Sequence, residues 1–175
     1  MKTTKQIADE MDFSIHHAID AHANHPKSPE DTIRFWDKTT PYAIHPIWCA
    51  MTLLTETSLS VDIRFKGYQA LLWHDTLEDT NLPLPENTDA EVIHLVQEMT
   101  FESFRDEQEK IWACRDVVKL LKLYDKVSII LDAVWMKDEK WNNLVDYTLK
   151  LRQFVQETYG ELNIVKIAEA VCIHR

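Results

Sequence analysis

Glycine is almost missing from this chain: only Gly67 and Gly160 occur in 175 residues. That excludes a Gly-rich phosphate-cradling loop and a Gly-x-Gly-x-x-Gly dinucleotide fingerprint. It also disfavours an all-β fold, which needs many tight turns. Cysteine is scarce. Cys49, Cys114 and Cys172 are odd in number and far apart, so they read as free thiols in a reducing cytoplasm. Positive charge is in deficit: 19 Lys and Arg against 29 Asp and Glu, a net charge of −10. A chain of that sign does not capture duplex nucleic acid by broad electrostatics, although a bound cation can still recruit a small anion. No apolar run approaches the roughly 20 residues of a membrane span. The start, Met1-Lys2-Thr3-Thr4-Lys5, leads into Ile7-Ala8-Asp9-Glu10, which is no signal-peptide core.

What is present favours helices. Apolar residues make up 45%, enough for a single domain over 1–175 with a real core. No repeat, low-complexity tract or long linker divides it. Residues 4–24 place Ile7, Met11, Ile15, Ala18, Ile19 and His22 on one helical side. Pro26, Pro29 and Pro41 mark 25–41 as a loop. A second helix starts between Pro41 and Pro46 and runs to about Thr57, with Pro46 tolerated in its first turn. A third spans about 62–79 and ends at Asn81-Leu82-Pro83-Leu84-Pro85. A fourth covers 88–99, with Thr88 as N-cap and Glu91 completing a capping box. Ser103 and Asp106 cap a fifth near 104–112. The apolar line from Val117 to Val134 predicts a long helix over about 115–136. Two more cover 139–158 and 161–173, separated by Gly160 as a stop.

The densest chemistry is His74-Asp75-Thr76-Leu77-Glu78-Asp79. On one helix, Glu78 lies a turn beyond His74 and Asp79 a turn beyond Asp75, so the four share a broad face. Such a face is costly unless something positive meets it, and a divalent metal is the natural candidate. A His-Asp pair alone is close to chance in a chain with eight histidines, so the weight falls on its surroundings. Those are Thr40-Pro41-Tyr42-Ala43-Ile44-His45-Pro46 before it and Lys122-Leu123-Tyr124-Asp125-Lys126 after it.

In these three segments the chain resembles the HD-domain superfamily. More narrowly, it is similar to the hydrolase domain of the RelA/SpoT group and its stand-alone small relatives. Members carry Pro-Tyr-x-x-His-Pro, then Leu-Leu-His-Asp-x-x-Glu-Asp-Thr, then Lys-Leu-x-Asp-Lys/Arg. The resemblance covers about residues 5–136; the C-terminal helices over 139–173 carry no recognised motif. It implies an all-α, HD-type fold with the metal between the second, third and long late helices. It implies one divalent metal, usually manganese, held by His45, His74, Asp75 and Asp125. Two imidazoles and two carboxylates suit manganese, iron or zinc better than magnesium or calcium. Such a cation can acidify water and polarise a phosphoryl oxygen. Glu78 and Asp79 become the catalytic pair, one activating water and the other protonating the leaving oxygen. The implied activity is 3′-pyrophosphohydrolysis of guanosine 3′,5′-bis(diphosphate), ppGpp. With no synthetase segment following, a stand-alone degrading enzyme is expected.

Several positions depart from that pattern. Where the group has Asn four residues after the late Asp stands Ile129, and where it often has Thr stands Asp132. The basic run that holds the guanine base is thin: Lys38 is the best match, with Arg34 and Lys126 as further candidates for substrate binding. Trp36 either stacks on a base or packs the loop onto the core. His16, His17, His22 and His25 cluster near the first helix. His22 and His25 are able to share a metal only if that helix continues through Asn24; surface or hydrogen-bonded histidines are the commoner outcome. His94 and His174 have no companions. Two rival readings stand. One is an HD phosphohydrolase for another small nucleotide or phosphate ester, which Ile129 favours. The other is a catalytically weak metal- and nucleotide-binding module acting on a partner protein, against which the retained Glu78 and Asp79 argue.

Overall fold

The computed structural model describes residues 3–173; His174 lies outside the described residues. Nine α-helices are described: α1 (Thr4–Asn24), α2 (Ile44–Leu54), α3 (Val61–Trp73), α4 (Thr76–Asp79), α5 (Ala90–Met99), α6 (Phe104–Lys110), α7 (Asp116–Leu131), α8 (Asp138–Tyr159) and α9 (Asn163–Ile173). Short 3-10 turns lie at Pro29–Thr32, Ile111–Ala113 and Ala133–Trp135. Among the described residues the only β pairing is two isolated bridges, Pro26 with Thr80 and Ile33 with Pro41. The second of these pins the two ends of the loop that precedes α2.

Local chemistry sets the helix ends. Thr3 caps α1 in a capping box: its hydroxyl accepts from the Gln6 N–H, and the Gln6 side chain accepts from the Thr3 N–H. The buried line of α1 runs Ser14, Ala18, Ala21 and His22, while Ile19 is 40% exposed, contrary to the face expected for it. Asp89, not Thr88, caps α5, accepting from the Glu91 N–H at 2.8 Å. The Thr88 hydroxyl turns back to the Pro85 carbonyl instead. Ser103 caps α6 by accepting from the Asp106 N–H. Gly160 ends α8 at φ +81°, a left-handed backbone suited to glycine, and its N–H closes on the Gln156 carbonyl.

Helix α7 is the central post, packing against α2, α3, α5, α8 and α9. Its side chains from Val118 to Ser128 are all buried. The main core gathers Leu53, Tyr68, Leu71, Trp73, Leu121 and Tyr124 with Leu151, Val155, Ile164 and Val165 from the C-terminal pair. Apolar burial on this scale is the main stabilising term. Helix α3 approaches α2 and α7 closely at Gly67: a Cβ there would stand 2.6 Å from Leu53 Cδ2 and 3.0 Å from Leu121 Cδ2. The C-terminal pair is locked down by Glu56, only 3% exposed. Its carboxylate accepts from the Tyr124 hydroxyl (3.1 Å) and from the Asn163 and Ile164 N–H groups (3.0 and 2.9 Å), satisfying the free donors that open α9.

Candidate metal centre

The third expected helix is not continuous. It breaks at His74 and Asp75, leaving α3 up to Trp73 and a single turn, α4, from Thr76. His74 Nδ1 lies 2.7 Å from the Leu71 carbonyl, so the side chain caps that oxygen as the helix ends. The bond has a second effect. A carbonyl only accepts, so Nδ1 carries the proton and Nε2 presents its lone pair. Nε2 is buried and has no hydrogen-bond partner.

That lone pair faces the other candidate ligands. His74 Nε2 is 3.1 Å from Asp75 Oδ1 and 3.7 Å from Asp125 Oδ1. His45, at the second position of α2, has its Nε2 3.4 Å from Asp75 Oδ2 and 3.4 Å from Asp125 Oδ1. One ligand atom from each of His45, His74 and Asp125 falls within 4.8 Å of the others, and all three residues are buried. Among the described residues this is the one such set; Asp75 bridges the two imidazoles from the side. The His45 Nδ1 is fixed by the Ser128 hydroxyl at 2.8 Å, and the Tyr42 hydroxyl donates to Asp75 Oδ2 at 2.8 Å. His45, His74 and Asp125 thus each turn one ligand atom toward the others, while Asp75, held by Tyr42, flanks the two imidazoles; outer contacts of this kind orient a metal shell. An orphaned imidazole lone pair among carboxylates is what a divalent transition metal satisfies, so the residues present fit that group.

The electrostatics agree. Burial opposes charge on His74, but the Asp75 and Asp125 carboxylates outweigh it and lift the ring to about 9. Without a cation the extra proton falls on Nε2, so proton and metal compete for the same lone pair and the carboxylates favour either positive charge there. Asp125 divides its two oxygens: Oδ1 faces the imidazoles, and Oδ2 accepts from Lys122 and Lys126 at 3.1 Å each. Both lysines also reach Glu107 Oε2, at 3.2 and 2.9 Å. Lys122 and Glu107 are absent from the residues expected from sequence. Their signal was present in the spacing of Lys119, Lys122 and Lys126 along an apolar helix, where buried lysines require acidic partners.

Glu78 and Asp79 line the same cavity, about 250 Å³, together with Tyr42, His45, Asp75, Lys122, Asp125, Lys126 and Ile129. Glu78 Oε1 accepts from the Phe101 N–H at 3.0 Å. Lys27 caps the α4 turn through the Leu77 and Glu78 carbonyls. Burial, then the Asp75 charge, raises both carboxyls, and Asp79 reaches about 7.

The other expected residues lie apart. Arg34 is buried, ion-paired with Asp132 and set over the Tyr42 ring. With Trp36, Trp48, Leu131 and Asp132 it lines a second cleft of about 220 Å³, which meets the first at His45. Asp132 therefore presents a charge matched by Arg34. Lys38 is exposed, at φ +57°, and borders a third cleft with Pro29 and Phe35 that touches the second at Arg34 and does not reach the metal cavity. His22 is buried on the Tyr42 ring at 4.6 Å, whereas His25 lies past the end of α1 and meets Asp20, so the two do not share a ligand position.

No family model matches the chain, and no curated protein matches it by sequence. Solved structures do. One is a metazoan ortholog of SpoT that hydrolyses ppGpp and plays a role in starvation responses; it aligns at a TM-score of 0.68 and 20% identity, over 98% of this chain and 95% of that chain. The likeness is one of fold, and it places this chain in the all-α, HD-type architecture.

Proposed function

We propose that the protein is a metal-dependent phosphohydrolase that cleaves a phosphate bond on a small nucleotide in the cytoplasm. The observation that carries this reading is the buried Nε2 of His74, without a hydrogen-bond partner and set among Asp75, Asp125 and His45, three residues that line a cavity also holding two carboxyls of raised pKa. His45, His74, Asp75 and Asp125 would hold the cation, with manganese first and iron or zinc compatible with the same donors. The cation supplies Lewis-acid polarisation of a phosphoryl oxygen and a lowered pKa for water.

The chain's own groups handle the protons. Asp79, at about 7, is half protonated near neutral pH and is suited to protonate a leaving oxygen. Glu78, held in one orientation by the Phe101 N–H, is suited to take a proton from water. Retention of this pair disfavours a purely binding module. The specific form that the resemblance points to is 3′-pyrophosphohydrolysis of ppGpp, and the similar solved structure is of a protein that hydrolyses ppGpp. A smaller nucleotide is the second reading, supported by Ile129, which gives the cavity a methyl group where an amide is expected. The cleft walled by Trp36 and Trp48 is suited to a base or sugar next to the metal cavity.

The test is metal content together with a nucleotide panel on one purified sample. We expect about one equivalent of transition metal and hydrolysis of at least one nucleotide. Metal-loaded protein that hydrolyses no member of the panel would overturn the reading. Lys38→Ala and Ile129→Asn, assayed on ppGpp, separate the two readings: a loss with the first and a gain with the second support ppGpp.

A further inference from the structure

The floor of the metal cavity is a closed square of charge. Two ammonium groups, Lys122 and Lys126, alternate with two carboxylates, Asp125 and Glu107, at 2.9–3.2 Å on every side. All four side chains are 3–6% exposed. Asp125 is explained by its other oxygen, which faces the imidazoles. Glu107 has no such second duty: apart from the Tyr147 hydroxyl beside it, the groups it meets are the two lysines. The cost of burying that carboxylate is offset chiefly through them.

Phosphate sites ordinarily present lysine charge to the ligand. Here Lys122 and Lys126 line the cavity, but their charge is cancelled within the square. Each ammonium has three N–H donors and gives two to the carboxylates, leaving one. The other carboxyls of the wall, Asp75, Glu78, Asp79 and Glu102, add no positive charge. One divalent cation leaves such a cavity short of positive charge for a polyanion.

We infer that Glu107 sets the charge the cavity accepts: by neutralising Lys122 and Lys126 it restricts the site to a phosphate of low charge, a monophosphate or its ester, over a di- or polyphosphate. The inference rests on the phosphohydrolase reading and narrows its substrate class to the second form given above, a small nucleotide or ester of low charge, against ppGpp. Glu107 does not touch the reacting atoms; it acts through the lysines.

The test uses inorganic phosphate and inorganic pyrophosphate as probes, titrated calorimetrically into protein loaded with one equivalent of manganese and freed of excess metal. Wild type should bind pyrophosphate no more than a few-fold tighter than phosphate. Glu107→Gln keeps the shape and adds one net positive charge. It should tighten pyrophosphate by about tenfold and phosphate by less, well inside the roughly 10³-fold bound for a unit charge at about 4 Å with an effective dielectric of about 20. Lys126→Met should move pyrophosphate in the opposite direction. The inference is overturned if wild type prefers pyrophosphate by much more than tenfold, a measurement that stands even where Glu107→Gln does not fold. It is also overturned if folded Glu107→Gln leaves the ratio unchanged while both anions bind, which leaves the hydrolase reading intact. Failure of either anion to bind any form overturns both.

Discussion

Deleting one oxygen, in Tyr42→Phe, tests whether the outer contacts of the candidate centre orient its ligands. The Tyr42 ring is held independently of its hydroxyl. It lies 4.6 Å from the His22 ring, 5.8 Å from the His45 ring and 5.1 Å from the Arg34 guanidinium carbon. Phenylalanine keeps those contacts and loses the 2.8 Å bond to Asp75 Oδ2, together with the hydroxyl's weaker interaction with Asp79. A hydrogen bond to a charged acceptor contributes about 1.5–3 kcal/mol. Part of that is regained when the carboxylate relaxes, so the expected loss lies near the lower end. Loss of an outer-shell partner lowers metal affinity about 10–100-fold. We therefore expect a drop of about 10–30-fold, or roughly 1.4–2 kcal/mol. Competition for manganese against a chromophoric chelator measures it, with circular dichroism to check the fold. An affinity within threefold of wild type, in a folded variant, would refute the idea that Tyr42 orients Asp75.

Three further outcomes are expected. Either His74→Ala or Asp125→Ala should remove most of the bound metal; full metal content in both, by elemental analysis, would sink the ligand assignment. Glu78→Gln should retain fold and metal yet lose about 10²-fold or more in turnover, and near-normal turnover would reduce Glu78 to its Phe101 contact. For Asp79 the sign follows from a folded pKa of about 7 against an ordinary 3.8. The folded state holds this proton more tightly than the unfolded chain does, so the contribution is greatest below the ordinary value and is lost as pH rises through 7. Chelator-stripped Asp79→Asn should therefore gain on wild type between pH 5 and 8.5, by about 1–2 kcal/mol after discounting for partial exposure. Parallel denaturation curves at the two pH values would contradict this.

Helix existence was legible where apolar spacing reports one buried face; α7, buried on every side from Val118 to Ser128, was legible from the length of its apolar run, read without knowing the neighbours. The residues the structure gathers at the centre came from three short segments whose spacing and order carry the resemblance. Other features depend on partners distant in sequence. The break after Trp73 rests on a side-chain bond from His74 to Leu71, which periodicity does not register. The pairing of Arg34 with Asp132 joins positions 98 apart. Glu107 sits in a short, mostly exposed helix, where a glutamate ordinarily faces water. The choice of Asp89 over Thr88 as cap turns on one residue of register, since both have a suitable side-chain oxygen.

The bonds of Glu56 reach residues 68, 107 and 108 positions away. Entropy of loop closure grows only with the logarithm of length, so each doubling of span costs only about 0.6 kcal/mol. Once made, the tie therefore weighs little more against stability than a tie half as long. Time is another matter, because contacts of long span form late. A chain leaving the ribosome completes the segments carrying His45, His74 and Asp125 well before Asn163 and Ile164 can reach Glu56. Until then the helix that carries Asp125 lacks two of its walls, and the order of synthesis makes the far end of the chain the last condition for a finished centre.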